Sequence, residues 1–194
     1  MNRANPVGAG RAKAEQAMDM IGRCAMAALV TLVGLTGAAR AEEGAPVGEV
    51  LPGHGAVTNL PLPRFVSLKG TEGNARRGPS LNQRIDWVFV RRDMPLEITA
   101  EFENWRLVQD KDGAGGWVHY TLLSGSRTVV VEQDMTTIYD APDEGSRAVA
   151  RLQANVVGRV SECTQSWCRI SVGGEKGWAP KAALWGIGPD EVLD

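Results

Sequence analysis

The feature that most constrains the fold of this chain is an internal repeat of about sixty residues. Trp105 and Trp167 align at an offset of 62 residues, and Trp117 and Trp178, each in a Gly-Trp pair, align at nearly the same offset. A repeat of this kind is one supersecondary unit, which must bury its apolar face by closing on itself or by packing on its copy. The chain is therefore predicted to contain two copies of one small fold.

Further landmarks recur in the same order around the tryptophans. Pro79 aligns with Pro142 upstream, and Leu122 aligns with Leu184 downstream. Each copy thus contains a turn with proline, a W-x-x-[VI] sequence, a glycine-rich turn, a G-W-[VA] sequence and a closing leucine. Because chance matches would not keep one order, these landmarks indicate a duplicated unit.

Between the landmarks, short runs of β-branched and aromatic residues alternate with glycine-rich turns, a pattern typical of β-strands. No segment has a sustained helical period with caps. The predicted strands are 64–70, 85–92, 96–103, 105–110 and 116–120 in the first copy, and 128–133, 147–152, 156–162, 167–172 and 176–181 in the second. Strands at this spacing fit an all-β fold of two small barrels in series. The predicted domains are 64–124 and 126–185, and the short joint, 122–127, indicates that they touch.

The N-terminus has the pattern of a secretory signal peptide. Basic residues precede an apolar run of 16 residues, Cys24–Ala39, and Ala39-Arg40-Ala41 forms an A-x-A cleavage site. The run is shorter than the roughly 20 residues that a membrane-spanning helix needs, so a membrane anchor is the less favoured interpretation. Residues 1–41 are predicted to be removed after Ala41, which places the protein in the periplasm or outside the cell.

Removal of this leader shifts the charge balance. It contains five of the 21 basic residues and two of the 23 acidic residues, so residues 42–194 have a formal net charge of −5. Nucleic-acid binders need a basic surface, and this chain is not predicted to be one. The Pro/Gly-rich acidic segment 42–63 is predicted to be a tether or an arm laid across the first barrel. Residues 186–194 form a short acidic tail.

The two cysteines that remain after cleavage are predicted to form a disulfide, because they are an even number in an exported protein. If Gln165 and Ser166 form a two-residue turn, Cys163 lies directly opposite Cys168 in an antiparallel pair. A zinc site or a redox site is the alternative. Zinc needs four ligands, and a redox C-x-x-C motif has two intervening residues where this chain has four. The repeat places Glu101 and Arg106 at the positions of the two cysteines.

The sequences N-A-R-R-G-P-S (74–80), W-x-x-[VI] and G-G-W-V-H-Y-T-L-L (115–123) resemble the bacterial SH3-like (SH3b) domain family. The arrangement resembles the tandem form in exported proteins of Gram-negative bacteria and covers 64–185. The first copy has Ala75 where the family prefers valine or leucine, and in the second copy 139–143 departs from R-x-G-P-S. The resemblance implies two SH3-like β-barrels that bind cell-wall components or peptides without catalysis.

The aromatic and basic residues supply the candidate ligand-binding positions. The four recurring tryptophans are predicted to lie in the core, whereas Trp87 and Trp185 have no counterpart and are predicted to be exposed or between the copies. Arginine could hold anionic glycan or peptide carboxylates through bidentate hydrogen bonds, although solvated strand edges are the simpler interpretation. The candidate ligand-binding residues are Trp87, Arg76, Arg91, Tyr120 and Tyr139.

The function predicted from the sequence is noncatalytic recognition of peptidoglycan or of an envelope peptide or protein. A structural adaptor in the periplasm and a cell-wall hydrolase are the alternatives. Catalysis is disfavoured because both cysteines are committed to the disulfide, only His54 and His119 remain, and no G-x-S-x-G sequence is present. No cofactor and no metal are expected.

Overall fold

The computed structural model describes residues 51–194, and the predicted leader lies outside the described residues. Two sets of seven strands follow one another along the chain. The first barrel contains β1 (Arg64–Leu68), β2 (Gly73–Arg76), β3 (Ile85–Phe89), β4 (Pro95–Phe102), β5 (Trp105–Gln109), β6 (Gly115–His119) and β7 (Leu123–Ser124). The second barrel contains β8 (Thr128–Val131), β9 (Thr136–Tyr139), β10 (Ala148–Leu152), β11 (Val157–Cys163), β12 (Trp167–Val172), β13 (Glu175–Pro180) and β14 (Leu184–Trp185). Single-turn 3-10 helices, Tyr120–Leu122 and Lys181–Ala183, precede β7 and β14. Over residues 51–194 no helix has the length and apolar character needed to cross a membrane.

The two sheets have one topology. The strand order is β3-β2-β6-β5-β4-β1-β7 in the first and β10-β9-β13-β12-β11-β8-β14 in the second, with every pair antiparallel. Each strand of the second barrel therefore takes the place of the strand seven positions earlier, which confirms the all-β fold of two like units. All ten predicted strands are present. The four short strands β2, β7, β9 and β14 were not predicted.

Each barrel encloses its own apolar core. The core of the first barrel contains Leu68, Ala75, Phe89, Leu96, Ile98, Val108 and Val118. The core of the second contains Val129, Val131, Ile138, Leu152, Cys163, Cys168, Ile170, Ala179, Leu184 and Ile187. Side chains alternate between the two faces of a strand, so Leu96 and Ile98 on β4, and Cys168 and Ile170 on β12, point into their cores.

The glycine of each repeated Gly-Trp pair is required because a neighbouring strand passes close to its backbone. A side chain on Gly116 would lie 2.7 Å from the carbonyl oxygen of Arg76, and one on Gly177 would lie 3.0 Å from that of Tyr139. These glycines let β2 approach β6, and β9 approach β13, more closely than a Cβ atom allows. The close approach brings the residue after each glycine, Trp117 or Trp178, opposite Arg76 or Tyr139.

The predicted disulfide is confirmed. Cys163 on β11 and Cys168 on β12 are bonded, with 4.1 Å between their Cα atoms, and they are register partners. The amide of Thr164 donates to the carbonyl of Trp167 across the turn. In the first barrel, Glu101 and Arg106 are register partners at the same position, as the repeat predicted.

The segment 51–63 lies against the first barrel as an arm. The carboxylate of Glu101 accepts hydrogen bonds from the amides of Val57 and Thr58 at 3.0 and 2.8 Å, and from the Thr58 hydroxyl at 2.7 Å. The Arg64 guanidinium lies 2.6 Å from the same carboxylate. Leu62 packs against the first core, so the arm joins the barrel through apolar and polar contacts.

The tail 186–194 is fastened to the second barrel in a corresponding place. Leu193 and Cys163 exchange both backbone hydrogen bonds, at 2.8 and 3.0 Å. The Lys181 ammonium donates to the carbonyls of Pro189 and Glu191 at 3.2 and 2.7 Å. Since Cys163 and Glu101 are equivalent in the repeat, both ends of the described chain cover the same position on their barrels.

The two barrels contact each other, as the short joint predicted. The rings of Phe65 and Trp185 meet edge to face with centroids 5.2 Å apart, and Arg127 lies over the Phe65 ring at 5.9 Å. The hydroxyls of Ser67 and Thr128 are buried and 2.7 Å apart. Trp185 thus occupies the interface between the copies, one of the two places predicted for it.

Candidate ligand-binding face

Three of the four repeated tryptophans, Trp117, Trp167 and Trp178, are half-buried and lie outside both hydrophobic cores. On β12, Cys168 and Ile170 point into the second core, so Trp167 points away from it. Trp105 is only 7% exposed and is a buried apolar residue, although it is not part of the first core cluster. The prediction that these tryptophans are core residues is confirmed for the buried Trp105 and is wrong for Trp117, Trp167 and Trp178, which are half-buried and lie outside both clusters.

In the second barrel, two of these tryptophans meet a tyrosine on the outer face. The rings of Tyr139 and Trp167 are edge to face, with centroids 5.8 Å apart and an interplanar angle of 85°. Tyr139 on β9 is the register partner of Trp178 on β13, and Trp167 is the register partner of Pro180. Cross-strand partners project to the same face, so these four side chains form one surface, the second-barrel aromatic face.

A cleft of about 340 Å³ opens beside Tyr139. Its walls include Met135, Thr137, Tyr139, Glu144, Pro180 and Ala182. Asp134 and Glu144 are exposed carboxylates at this cleft, and none of the described residues that line it is lysine or arginine. Its charge therefore favours a neutral or cationic group over a carboxylate.

The first barrel presents different residues at the equivalent positions. Arg76 takes the place of Tyr139 and is the register partner of Trp117. His119 takes the place of Pro180 and is the register partner of Trp105, the first residue of β5. The rings of Trp105 and His119 meet edge to face at 5.4 Å, and Tyr120 lies against His119 at 5.1 Å. This surface is a compact aromatic stack that buries Trp105.

The Arg76 side chain is hydrogen-bonded to the loop that follows its own strand, β2. One guanidinium nitrogen donates to the carbonyls of Leu81 and Gln83 at 2.9 and 2.7 Å. The loop between β2 and β3 is thereby fastened to the outer face of the first barrel.

The five predicted ligand-binding residues do not form one cluster, although Arg76 and Trp87 lie on the neighbouring strands β2 and β3. Trp87 is 46% exposed on β3, Tyr120 is 49% exposed beside His119, and Tyr139 belongs to the second-barrel aromatic face. Arg91 donates to the carbonyl of Asn155 at 2.6 Å, between the barrels. Trp167 and Pro180 were missed as surface residues.

The alternation of side chains between the two faces of a strand could have predicted that Trp167 lies outside the core. In W-x-x-[VI] the tryptophan and the aliphatic residue are three apart, so within one strand they lie on opposite faces. If the aliphatic residue is in the core, the tryptophan is outside.

Two small barrels of one topology define the chain as a duplicated small β-barrel protein. A family model described as bacterial SH3 domain matches residues 69–125 and 132–186, which together make up more than half of the chain. The chain belongs to the bacterial SH3 domain family. Domains of this family are binding modules, often for the cell wall, and together with the disulfide they suggest an extracytoplasmic protein.

The chain is also similar to two solved structures, NlpC2 and NlpC1 from Trichomonas vaginalis. Identity is 17% for both, over 63% of this chain and 48% and 45% of theirs, with TM-scores of 0.30. The chain spans about half the length of these structures, and likeness at this level carries no argument about activity. No curated protein matches the chain.

Proposed function

We propose that this protein is an exported, noncatalytic module that binds peptidoglycan or an envelope peptide through the second-barrel aromatic face. The leader 1–41 would direct export and be cleaved after Ala41. The observation that carries the proposal is the contact between Tyr139 and Trp167 beside an open cleft. Aromatic side chains on a rigid sheet bind extended ligands with little entropy loss, because their rings are already held in place.

The chemistry of the cleft narrows the ligand class. Rings and a proline supply apolar contact for a peptide backbone or a sugar face, and the carboxylates of Asp134 and Glu144 attract a free amino group. A peptide or peptide stem that carries an amine fits this arrangement better than an anionic glycan does.

The second barrel is favoured over the first, although the sequence motif is more complete in the first copy. In the first barrel Trp105 is almost fully buried and Arg76 is bonded to its own loop. Neither side chain is available without rearrangement. In the second barrel Tyr139 and Trp167 are half-buried, so parts of both rings face solvent.

Retention on purified sacculi tests the proposal. With protein comprising residues 42–194, Tyr139→Ala is expected to weaken retention at least tenfold, equivalent to ~1.4 kcal/mol. Tyr120→Ala removes an exposed aromatic ring from the first barrel and is the matched control, with less than a twofold effect expected. Circular dichroism verifies that both variants fold. Equal retention of Tyr139→Ala and the parent protein would overturn the assignment of the face.

The same preparation distinguishes the alternatives. Folded protein that does not bind sacculi but binds an envelope polypeptide would indicate an adaptor. Release of muropeptides from the sacculi would indicate a hydrolase and contradict the noncatalytic proposal.

A further inference from the structure

Strand β3 forms one edge of the first sheet and is covered with exposed apolar side chains. In the described residues it pairs only with β2. Trp87, Val88 and Val90 on and beside it are 46%, 41% and 75% exposed. A sheet edge with unpaired backbone groups and apolar side chains is a template for pairing with another strand.

The second barrel shows what a protected version of this edge looks like. Trp87 pairs with Ala75 as Ala150 pairs with Ile138, and Val88 pairs with Asn74 as Arg151 pairs with Thr137. The equivalents of Trp87, Val88 and Val90 are therefore Ala150 and Arg151 on β10 and Gln153 directly after it. A charged side chain in the middle of an edge strand discourages further pairing. Arg151 protects β10 in this way, whereas the charged residue of β3, Asp86, is paired with Arg77 and Arg84 and is followed by the exposed Val88 and Val90.

The β3 edge also has a local charge opposite to that of the chain. Residues 77–92 contain four arginines and one acidic residue, a net charge of +3, while residues 42–194 as a whole carry −5. Asp86 is shared by Arg77 at 2.9 Å and Arg84 at 2.6 Å. Arg92 is exposed and forms no ion pair within the described residues. Apolar strand residues are thus flanked by guanidinium groups.

This charge argues against a second copy as the occupant. Two β3 strands pairing antiparallel about Val88 would place Arg84 of one copy opposite Arg92 of the other. Like charges directly opposite each other destabilise a strand pair. Acidic residues at those positions would be attracted.

We propose that the free edge of β3 binds an extended polypeptide segment that has alternating apolar residues between acidic ends. The segment would add to the sheet as an eighth strand, with main-chain hydrogen bonds to β3 and apolar contact with Val88 and Val90, which lie on one face. Its acidic ends would meet Arg84 on one side and Arg92 on the other. This surface is separate from the second-barrel aromatic face, so the first barrel docks a protein while the second binds its own ligand.

A synthetic peptide with two glutamates at each end and alternating valine and threonine between them is the probe. We expect it to bind residues 42–194 and to shift the amide resonances of β3 in NMR spectra. Val88→Glu and Val90→Glu are each expected to weaken binding at least tenfold. Each places on the edge a carboxylate that repels the glutamates of the peptide, and each removes an apolar contact. Gln153→Glu makes the change of Val90→Glu at the equivalent position of the second barrel and is expected to leave affinity unchanged.

Three results would overturn the proposal. Equal binding of a peptide with lysines in place of the glutamates would show that charge complementarity does not contribute to binding. Equal binding of a peptide with proline at alternate positions would exclude strand addition, because proline lacks the amide hydrogen. A dimer that Val88→Glu dissociates, seen by sedimentation, would make a second copy the occupant. Tyr139→Ala is expected to leave peptide affinity unchanged, so failure here and failure of the sacculus assay are distinguishable.

Discussion

Glu101 and Arg106 face each other on β4 and β5 at the register position that Cys163 and Cys168 occupy on β11 and β12. The Arg106 Nε atom lies 3.4 Å from Glu101 Oε1, and both side chains are almost fully buried. One copy of the repeat closes this end of its hairpin with an ion pair and the other with a covalent bond. The ion pair has a second role, because the Glu101 carboxylate also holds the N-terminal arm.

Replacing Glu101 with glutamine is expected to destabilise the protein by about 3 kcal/mol, because it leaves Arg64 and Arg106 without their buried counter-charge. Urea unfolding monitored by tryptophan fluorescence measures the loss. Glu97→Gln is the control, since the half-buried Glu97 accepts one hydrogen bond from Gln109 and its loss is expected below ~1 kcal/mol. Equal losses for the two variants would contradict the central role of Glu101.

The stability of the protein is expected to depend on pH through Glu101. Desolvation raises the pKa of this carboxyl, but hydrogen bonds from Thr58, Arg64 and Val57 outweigh it and lower the pKa from 4.5 to about 2. Because the folded pKa lies below the unfolded one, the contribution is present above pH 4.5 and is lost as pH falls toward 2. It amounts to ~3 kcal/mol. The difference in unfolding free energy between the parent protein and Glu101→Gln should shrink across this range, and a constant difference would refute the assignment.

Removing the disulfide is expected to cost only roughly 1–2 kcal/mol. The cysteines are five residues apart in sequence, so the loop they close is shorter than the 15-residue loop for which the entropy model gives ~3 kcal/mol. The double variant Cys163→Ala, Cys168→Ala and the reduced parent protein should lose similar amounts in urea titrations. Hydrogen exchange should quicken around β11 and β12 and at Leu193. A loss above ~4 kcal/mol would show that the disulfide supports the whole barrel.

The contact between the barrels is expected to couple their unfolding. Phe65→Ala removes the ring that meets Trp185 and lies under Arg127, with an expected loss of roughly 2 kcal/mol. Fluorescence and far-ultraviolet circular dichroism transitions should coincide in the parent protein and separate in this variant. Phe102→Ala is the control, since Phe102 is 48% exposed and should leave the transitions coincident. Coincident transitions in Phe65→Ala would mean that other contacts couple the barrels.

Much of the fold could be read from the repeat. An offset of 62 residues placed Glu101 and Arg106 over the cysteines, and the two-residue turn placed the cysteines opposite each other. Both arrangements depend on local register, which sequence patterns encode directly. Strands β7 and β14, of two residues each, carry too little pattern to be recognised.

The binding face could not be read in the same way. Recurrence marks positions that the fold requires, but it does not say whether a tryptophan faces the core or solvent. The engagement of Arg76 with the carbonyls of Leu81 and Gln83, and of Arg91 with that of Asn155, depends on backbone acceptors that leave no trace in sequence. Position in the sequence therefore indicated a possible ligand contact where the structure has an internal one.

Strands β1 and β8 lie upstream of the two segments that match the family model, yet each is hydrogen-bonded to neighbours on both sides. Trimming the chain to 69–125 or 132–186 would remove β1 or β8, which are interior strands of their sheets. It would also leave β7 or β14 without its pairing strand. The duplicated unit that folds is thus several residues longer than the one that sequence similarity detects. Its first strand, β1 or β8, lies just before the matched residues.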